Sequence, residues 1–159
     1  MRFFGAALVA SALVLSGCGG GDRQAAEQPG TQAGATGEAQ AAAVTGTVHD
    51  VRMLGDERGY RYDPAQITVR QGDGIRWVLV SGPPHDVNFD ENRIQGQARS
   101  QLNANMPNQV QPNSLQSPMM MQDNESYTVS FANVPPGTYE YICTPHIQQG
   151  MRGSVTVQQ

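Results

Sequence analysis

Several things are scarce in this 159-residue chain, and each scarcity excludes a class of protein. There are two cysteines, Cys18 and Cys143, too few for a disulfide framework, although one bridge between them is chemically allowed. Charged residues make up only 15% of the chain, and its ten basic residues form no run, which argues against a nucleic-acid partner. No apolar stretch is long enough to span a bilayer stably. No paired-carboxylate site is evident, since Asp56, Glu57, Asp123 and Glu125 read as solvated loop charges. Histidine occurs only three times, at His49, His85 and His146.

What the chain does contain begins with a targeting pattern. Met1-Arg2 is followed by an apolar run from Phe3 to Leu15, the layout of a signal peptide over 1–17. The run ends Leu15-Ser16-Gly17-Cys18, which resembles the bacterial lipoprotein box, so Cys18 is expected to carry acyl chains. The alternative is an ordinary secreted protein cut near Gly17. A lipidated Cys18 has no free thiol for Cys143, and several acyl chains on one residue give stable anchoring. Residues 18–43 are nearly all Gly, Ala, Gln, Glu and Thr, without an aromatic, and read as a flexible linker.

From Val44 to Gln159 the pattern is that of one folded domain. Gly and Pro together number 28 in the chain, which suits a turn-rich β protein. Strand signals run from Thr45 to Leu54, within Tyr62 to Arg70 as a turn followed by a strand, from Ile75 to Val80, from Ser126 to Phe131, and from Gly137 into Cys143. Many short strands divided by turns predict an all-β, antiparallel sandwich with Trp77, Phe89, Phe131, Tyr139 or Tyr141 in its core. The stretch 90–118 is Gln/Asn/Ser-rich; Ile94, Ala98 and Leu102, spaced four apart, predict one short helix that stops at or before Pro107.

The chemistry is concentrated near the C-terminus. Tyr141-Ile142-Cys143-Thr144-Pro145-His146-Ile147-Gln148-Gln149-Gly150-Met151 puts a thiol, an imidazole and a thioether on one loop between two strand signals. Upstream, Pro83-Pro84-His85-Asp86-Val87-Asn88-Phe89 offers a second imidazole from a turn after an apolar strand. Two His nitrogens, one Cys sulfur and a weak axial Met form the blue-copper donor set, suited to an ion that alternates between Cu(II) and Cu(I). The competing reading is a buried Cys acting as a small hydrophobe and a Met packed in the core. His49 reads as an exposed strand residue. Met119-Met120-Met121 offers thioethers for Cu(I), but consecutive strand residues alternate faces, which favours core and edge packing.

These two loops resemble the copper loops of the cupredoxin family, on its plastocyanin side. The likeness implies an eight-stranded Greek-key sandwich and one copper ion held by His85, Cys143, His146 and Met151. Asp86, Thr144 and Pro145 flank those ligands; Asp86 stands where the family commonly has Asn, and Pro145 brings no N–H towards the Cys143 sulfur. Pro84 occupies the place of the azurin-type glycine, so no fifth ligand is expected. Ile142 replaces the surface Tyr common in photosynthetic members, and no acidic run flanks it, so docking of their kind is not expected.

The function predicted is a membrane-tethered one-electron carrier, not an enzyme, which exchanges electrons with cytochromes or membrane oxidoreductase complexes. It is expected to be a monomer facing the periplasm or cell exterior. The rival is a copper storage or delivery protein that uses the same site and the Met cluster. A copper oxidase or nitrite reductase fails on ligand count, because only His49 is left once His85 and His146 are used. The distal His146 is expected to show its ring edge among Pro83, Pro84, Pro145, Ile147 and Gly150, a small apolar patch for brief contacts.

Overall fold

A computed structural model describes residues 41–159. The signal peptide, Cys18 and most of the 18–43 linker lie outside the described residues. Eight strands follow in order: β1 (Val48–Asp56), β2 (Gly59–Asp63), β3 (Gln66–Arg70), β4 (Gly74–Leu79), β5 (Asn88–Phe89), β6 (Ser126–Ser130), β7 (Gly137–Ile142) and β8 (Arg152–Gln158). One helix, α1 (Gly96–Asn105), lies between β5 and β6. The strands form two four-stranded sheets, ordered β2-β1-β4-β6 and β3-β8-β7-β5. This is the two-sheet sandwich expected.

The sheets are mixed and not antiparallel throughout as predicted, because alternation along the sequence does not reveal the direction of the neighbouring strand. β1 runs parallel to β4, and β3 parallel to β8; the remaining pairs are antiparallel. Each parallel pair is separated in sequence by strands or loops long enough to carry the chain back to its starting edge, as parallel neighbours require. The β2 strand, absent from the sequence reading, forms a hairpin with β1 closed at Asp56 and Gly59.

Core composition follows the predicted alternation. Val51, Met53, Ile75, Trp77, Leu79, Val129, Phe131 and Tyr141 are fully buried, and Phe89 and Tyr139 nearly so. Tyr141 is ringed by Tyr62, Trp77 and Phe89, with ring centroids 4.7, 5.4 and 5.5 Å away. Such tilted and edge-on arrangements are the favourable ones for aromatic pairs.

α1 ends at Asn105, two residues before Pro107, as its breaker predicts. Leu102 and Ile94 are buried; Ile94 lies just ahead of the helix, so it joins the core from the approach and not from the helical face. Asn105 ties the helix down: its side-chain amide donates to the carbonyls of Ser130 and Ala132 at 2.8 and 3.0 Å. After it, residues 106–118 run as a long loop, pinned where Glu91, ahead of the helix, accepts from the Leu115 N–H and pairs with Arg99.

Candidate metal centre

The Cys143 loop is shaped by its own backbone. β7 ends at Ile142 and β8 starts at Arg152, so the loop is a hairpin connection with Cys143 and Met151 at its two feet. The Cys143 N–H donates to the Met151 carbonyl at 3.1 Å and closes the base. Within it, the His146 N–H bonds the Cys143 carbonyl and the Met151 N–H bonds the His146 carbonyl, both at 3.2 Å. A short 3-10 turn, Ile147–Gln149, ends at Gly150, whose φ of 82° is the left-handed conformation that glycine adopts without cost. Space is not the constraint at Gly150, since a Cβ there would meet nothing within 4 Å.

His85 reaches the same place from the other sheet's connection. It exchanges backbone bonds with Met120, N–H to carbonyl at 3.0 and 2.8 Å. Its Nε2 lies 3.0 Å from the Ser81 carbonyl. A carbonyl can only accept, so Nε2 carries the proton and Nδ1 is left as a bare donor. That Nδ1 lies 3.5 Å from the Cys143 sulfur, and His146 Nδ1 lies 3.4 Å from it. All three donor atoms fall within 4.8 Å of one another, the one such group among the described residues. His49 is elsewhere, half-buried, with its Nε2 3.1 Å from Asp73.

The geometry fits a small thiophilic ion. A metal about 2.3 Å from sulfur and about 2.0 Å from nitrogen, at near-tetrahedral angles, sets those atoms about 3.5 Å apart. Cys143 is fully buried, and burial pushes its thiol up to about 12, despite the Asp86 and His146 N–H groups that favour the thiolate. Such a sulfur loses its proton readily only when a cation takes the proton's place. Burial also lowers both imidazoles, His85 and His146, below the usual histidine value; for His146 the neighbouring His85 adds to the effect. Neutral imidazoles are the ligating form. Met151 is fully buried at the foot of the loop, while its neighbours Gln149 and Gly150 are exposed.

Asp86 joins the two loops. It is fully buried; its Oδ1 accepts from the Thr144 N–H at 2.6 Å and its Oδ2 from the Gln116 amide at 2.8 Å. Tyr62 donates its hydroxyl to the Asp86 carbonyl at 2.6 Å. Thr144 Oγ1 in turn receives contacts from Asn88 and Gln116. Pro145 brings no donor to the sulfur, but the Asp86 and His146 N–H groups do, an arrangement that required the folded chain.

A model of the plastocyanin/azurin family of copper-binding proteins matches residues 49–158. The chain belongs to that family. Plastocyanin from Scenedesmus fuscus is 31% identical over 108 residues, which cover 68% of this chain and 97% of that protein. Plastocyanin from a Synechococcus strain is 35% identical over 107 residues, 67% of this chain and 71% of the relative. Among solved structures, oxidised plastocyanin from the fern Dryopteris crassirhizoma superposes with a TM-score of 0.52 at 26% identity, covering 69% of this chain and all of the other. The family consists of electron carriers that hold one copper ion, and the donor cluster described here is of the kind that such an ion requires.

Two residues near the cluster escaped the sequence reading. Gln116, in the segment ahead of β6, braces Asp86. Tyr60, on β2, stacks on the His146 ring with centroids 3.6 Å apart and planes 9° from parallel. His146 is only 7% exposed, more covered than the sequence reading expected of a ring edge open to partners. The methionines divide: Met120 is buried, whereas Met119 and Met121 are exposed, so only the middle one is core.

Proposed function

We propose that His85, Cys143, His146 and Met151 would hold the copper of a one-electron carrier, with Met151 supplying a thioether beside the thiolate and the two imidazoles. The observation that carries this is the meeting of two imidazole nitrogens on one buried sulfur, at 3.5 and 3.4 Å. The ion supplies a Cu(II)/Cu(I) couple; everything else falls to the chain. Sheet pairing and the loop's own backbone bonds hold Cys143 and His146 in place, and Ser81 and Met120 hold His85. Asp86, Thr144 and Pro145 flank the ligands, and Asp86 with Gln116 locks one loop to the other, so that a change of charge at the centre meets a frame that resists rearrangement. Burial of all three donor residues keeps water from their ligating atoms.

No charged side chain occurs in 81–85 or 145–151, the segments that flank the ligands at this end of the sandwich. A surface of Pro83, Pro84, Pro145 and Ile147 suits brief, apolar contact with a redox protein such as a cytochrome or a membrane oxidoreductase complex. Residues 1–17 act as a lipoprotein signal peptide, Cys18 as the lipid-bearing residue and 18–43 as the tether of the copper domain, 44–159, on the outer side of a bacterial membrane.

The test is the visible spectrum of the full chain on addition of Cu(II), beside Cys143→Ser. An intense thiolate-to-copper band in the first and none in the second is expected. A wild-type chain without that band would sink the assignment.

A further inference from the structure

We infer that Tyr60 is a positioning residue of the metal centre, a clamp on His146 that biases the bound ion towards its oxidised state. The inference rests on the proposed copper ligands, but its starting point is the stacking itself. The phenol and imidazole overlap almost fully, with 3.6 Å between centroids and 9° between planes. Aromatic pairs normally prefer offset or edge-on contacts, because the negative faces of two rings repel one another. A face-to-face stack becomes favourable when one ring is electron-poor, as an imidazole is when it donates to a cation. The attraction is then greater for Cu(II), which draws more charge from the ligand, than for Cu(I).

Tyr60 cannot easily drift from this position. It pairs with Gly55 across the β1–β2 hairpin, and its ring lies against that glycine. A Cβ on Gly55 would come 2.6 Å from Tyr60 Cε1 and 3.0 Å from the Gly82 Cα. A Cβ on Gly82, whose φ of 72° already favours glycine, would come 2.6 Å from the Gly55 Cα. The two glycines therefore let the β1–β2 hairpin and the 81–85 segment meet backbone to backbone. The Gly55 N–H donates to the Ser81 carbonyl at 2.9 Å, the same oxygen that receives His85 Nε2. Tyr60 also meets His85 edge-on at 6.0 Å. One hairpin thus braces both imidazoles, one through a ring face and the other through a shared carbonyl.

The experiment compares the full wild-type chain with Tyr60→Phe and Tyr60→Leu, and with Tyr60→Met as a second ringless side chain should Leu prevent folding. Three readouts are taken: His146 ring mobility by NMR relaxation in the copper-free chain, the visible band on Cu(II) addition, and the reduction potential by voltammetry. Tyr60→Phe keeps the stack and should match the wild type. The ringless variants should keep the band, free the His146 ring, and raise the potential. The expected rise corresponds to a roughly 2- to 12-fold weaker preference for Cu(II) over Cu(I), the worth of one aromatic pair. Ringless variants with wild-type potential and wild-type ring mobility would overturn the inference. So would Tyr60→Phe behaving like Tyr60→Leu, which would shift the role to the hydroxyl. If the wild type itself shows no thiolate-to-copper band, the copper assignment fails instead, and the ring mobility of the copper-free chain still reports on the clamp.

Discussion

Gly153 stands opposite Tyr141 in the β7–β8 pairing, at the base of the ligand loop, and replacing it with alanine gives a sharp test of the register. A Cβ on Gly153 would lie 2.4 Å from Tyr141 Cζ, 2.6 Å from its hydroxyl oxygen and 2.7 Å from Cε2. Carbon atoms in contact sit about 3.5–4.0 Å apart, so the ring or the strand must move by about 1 Å. The ring has nowhere to go: Tyr141 is fully buried among Tyr62, Trp77 and Phe89. Overpacking a tight core costs about 1–3 kcal/mol, and this site belongs in the upper half of that range. At about 4 °C per kcal/mol for a domain of this size, Gly153→Ala should lower the melting temperature by roughly 8–12 °C. Circular dichroism of the copper-free chain, heated with and without the substitution, measures it. Ile142 pairs with Arg152 one step nearer the loop, so the strain also falls on the feet that carry Cys143 and Met151. A change below about 0.5 kcal/mol, the size of an ordinary surface substitution, would refute the wedge and with it the Tyr141–Gly153 register.

Two further predictions concern stability away from the ligands. Leu102→Ala empties a fully buried position on α1 and should cost about 2–5 kcal/mol in denaturant unfolding; a loss under 1 kcal/mol would mean that the helix does not pack as described. Asp73 is held below its usual value first by the Arg70 N–H, with the Thr47 N–H and His49 adding to the effect. A lowered carboxyl stabilises the fold above its unfolded value of 3.8, and that stability is lost as pH falls through the lower folded value. Asp73→Asn should therefore show a shallower loss of stability below about pH 4 than wild type; identical slopes in acid titrations followed by fluorescence would contradict it.

Much of this molecule is legible in its sequence because much of it is local. Cys143, His146 and Met151 lie within nine residues between two strand signals, and a hairpin loop of that length has few ways to close. α1 is short and is stopped ahead of Pro107, which its sequence announces. The strands with alternating apolar residues appear where that alternation puts them, because a sheet with one buried face imposes a period of two. β2 was hidden because Gly59-Tyr60-Arg61-Tyr62-Asp63 carries turn-forming residues at both ends and shows no clear alternation of burial, with only Tyr62 buried.

What the linear chain left open is set by contacts between distant segments. His85 and Cys143 are 58 positions apart, and their 3.5 Å approach exists only because two sheets pack face to face. Gln116 reaches Asp86 across 30 positions, and Tyr60 meets His146 across the sandwich. Parallel pairing of β1 with β4 and of β3 with β8 belongs to the same class. Residue types and short spacings determined which donors were available and which backbone turns were possible. Only tertiary structure decided which nitrogen faces the sulfur, which N–H groups point at it and which ring covers His146, because each depends on chain segments whose mutual placement no local preference encodes.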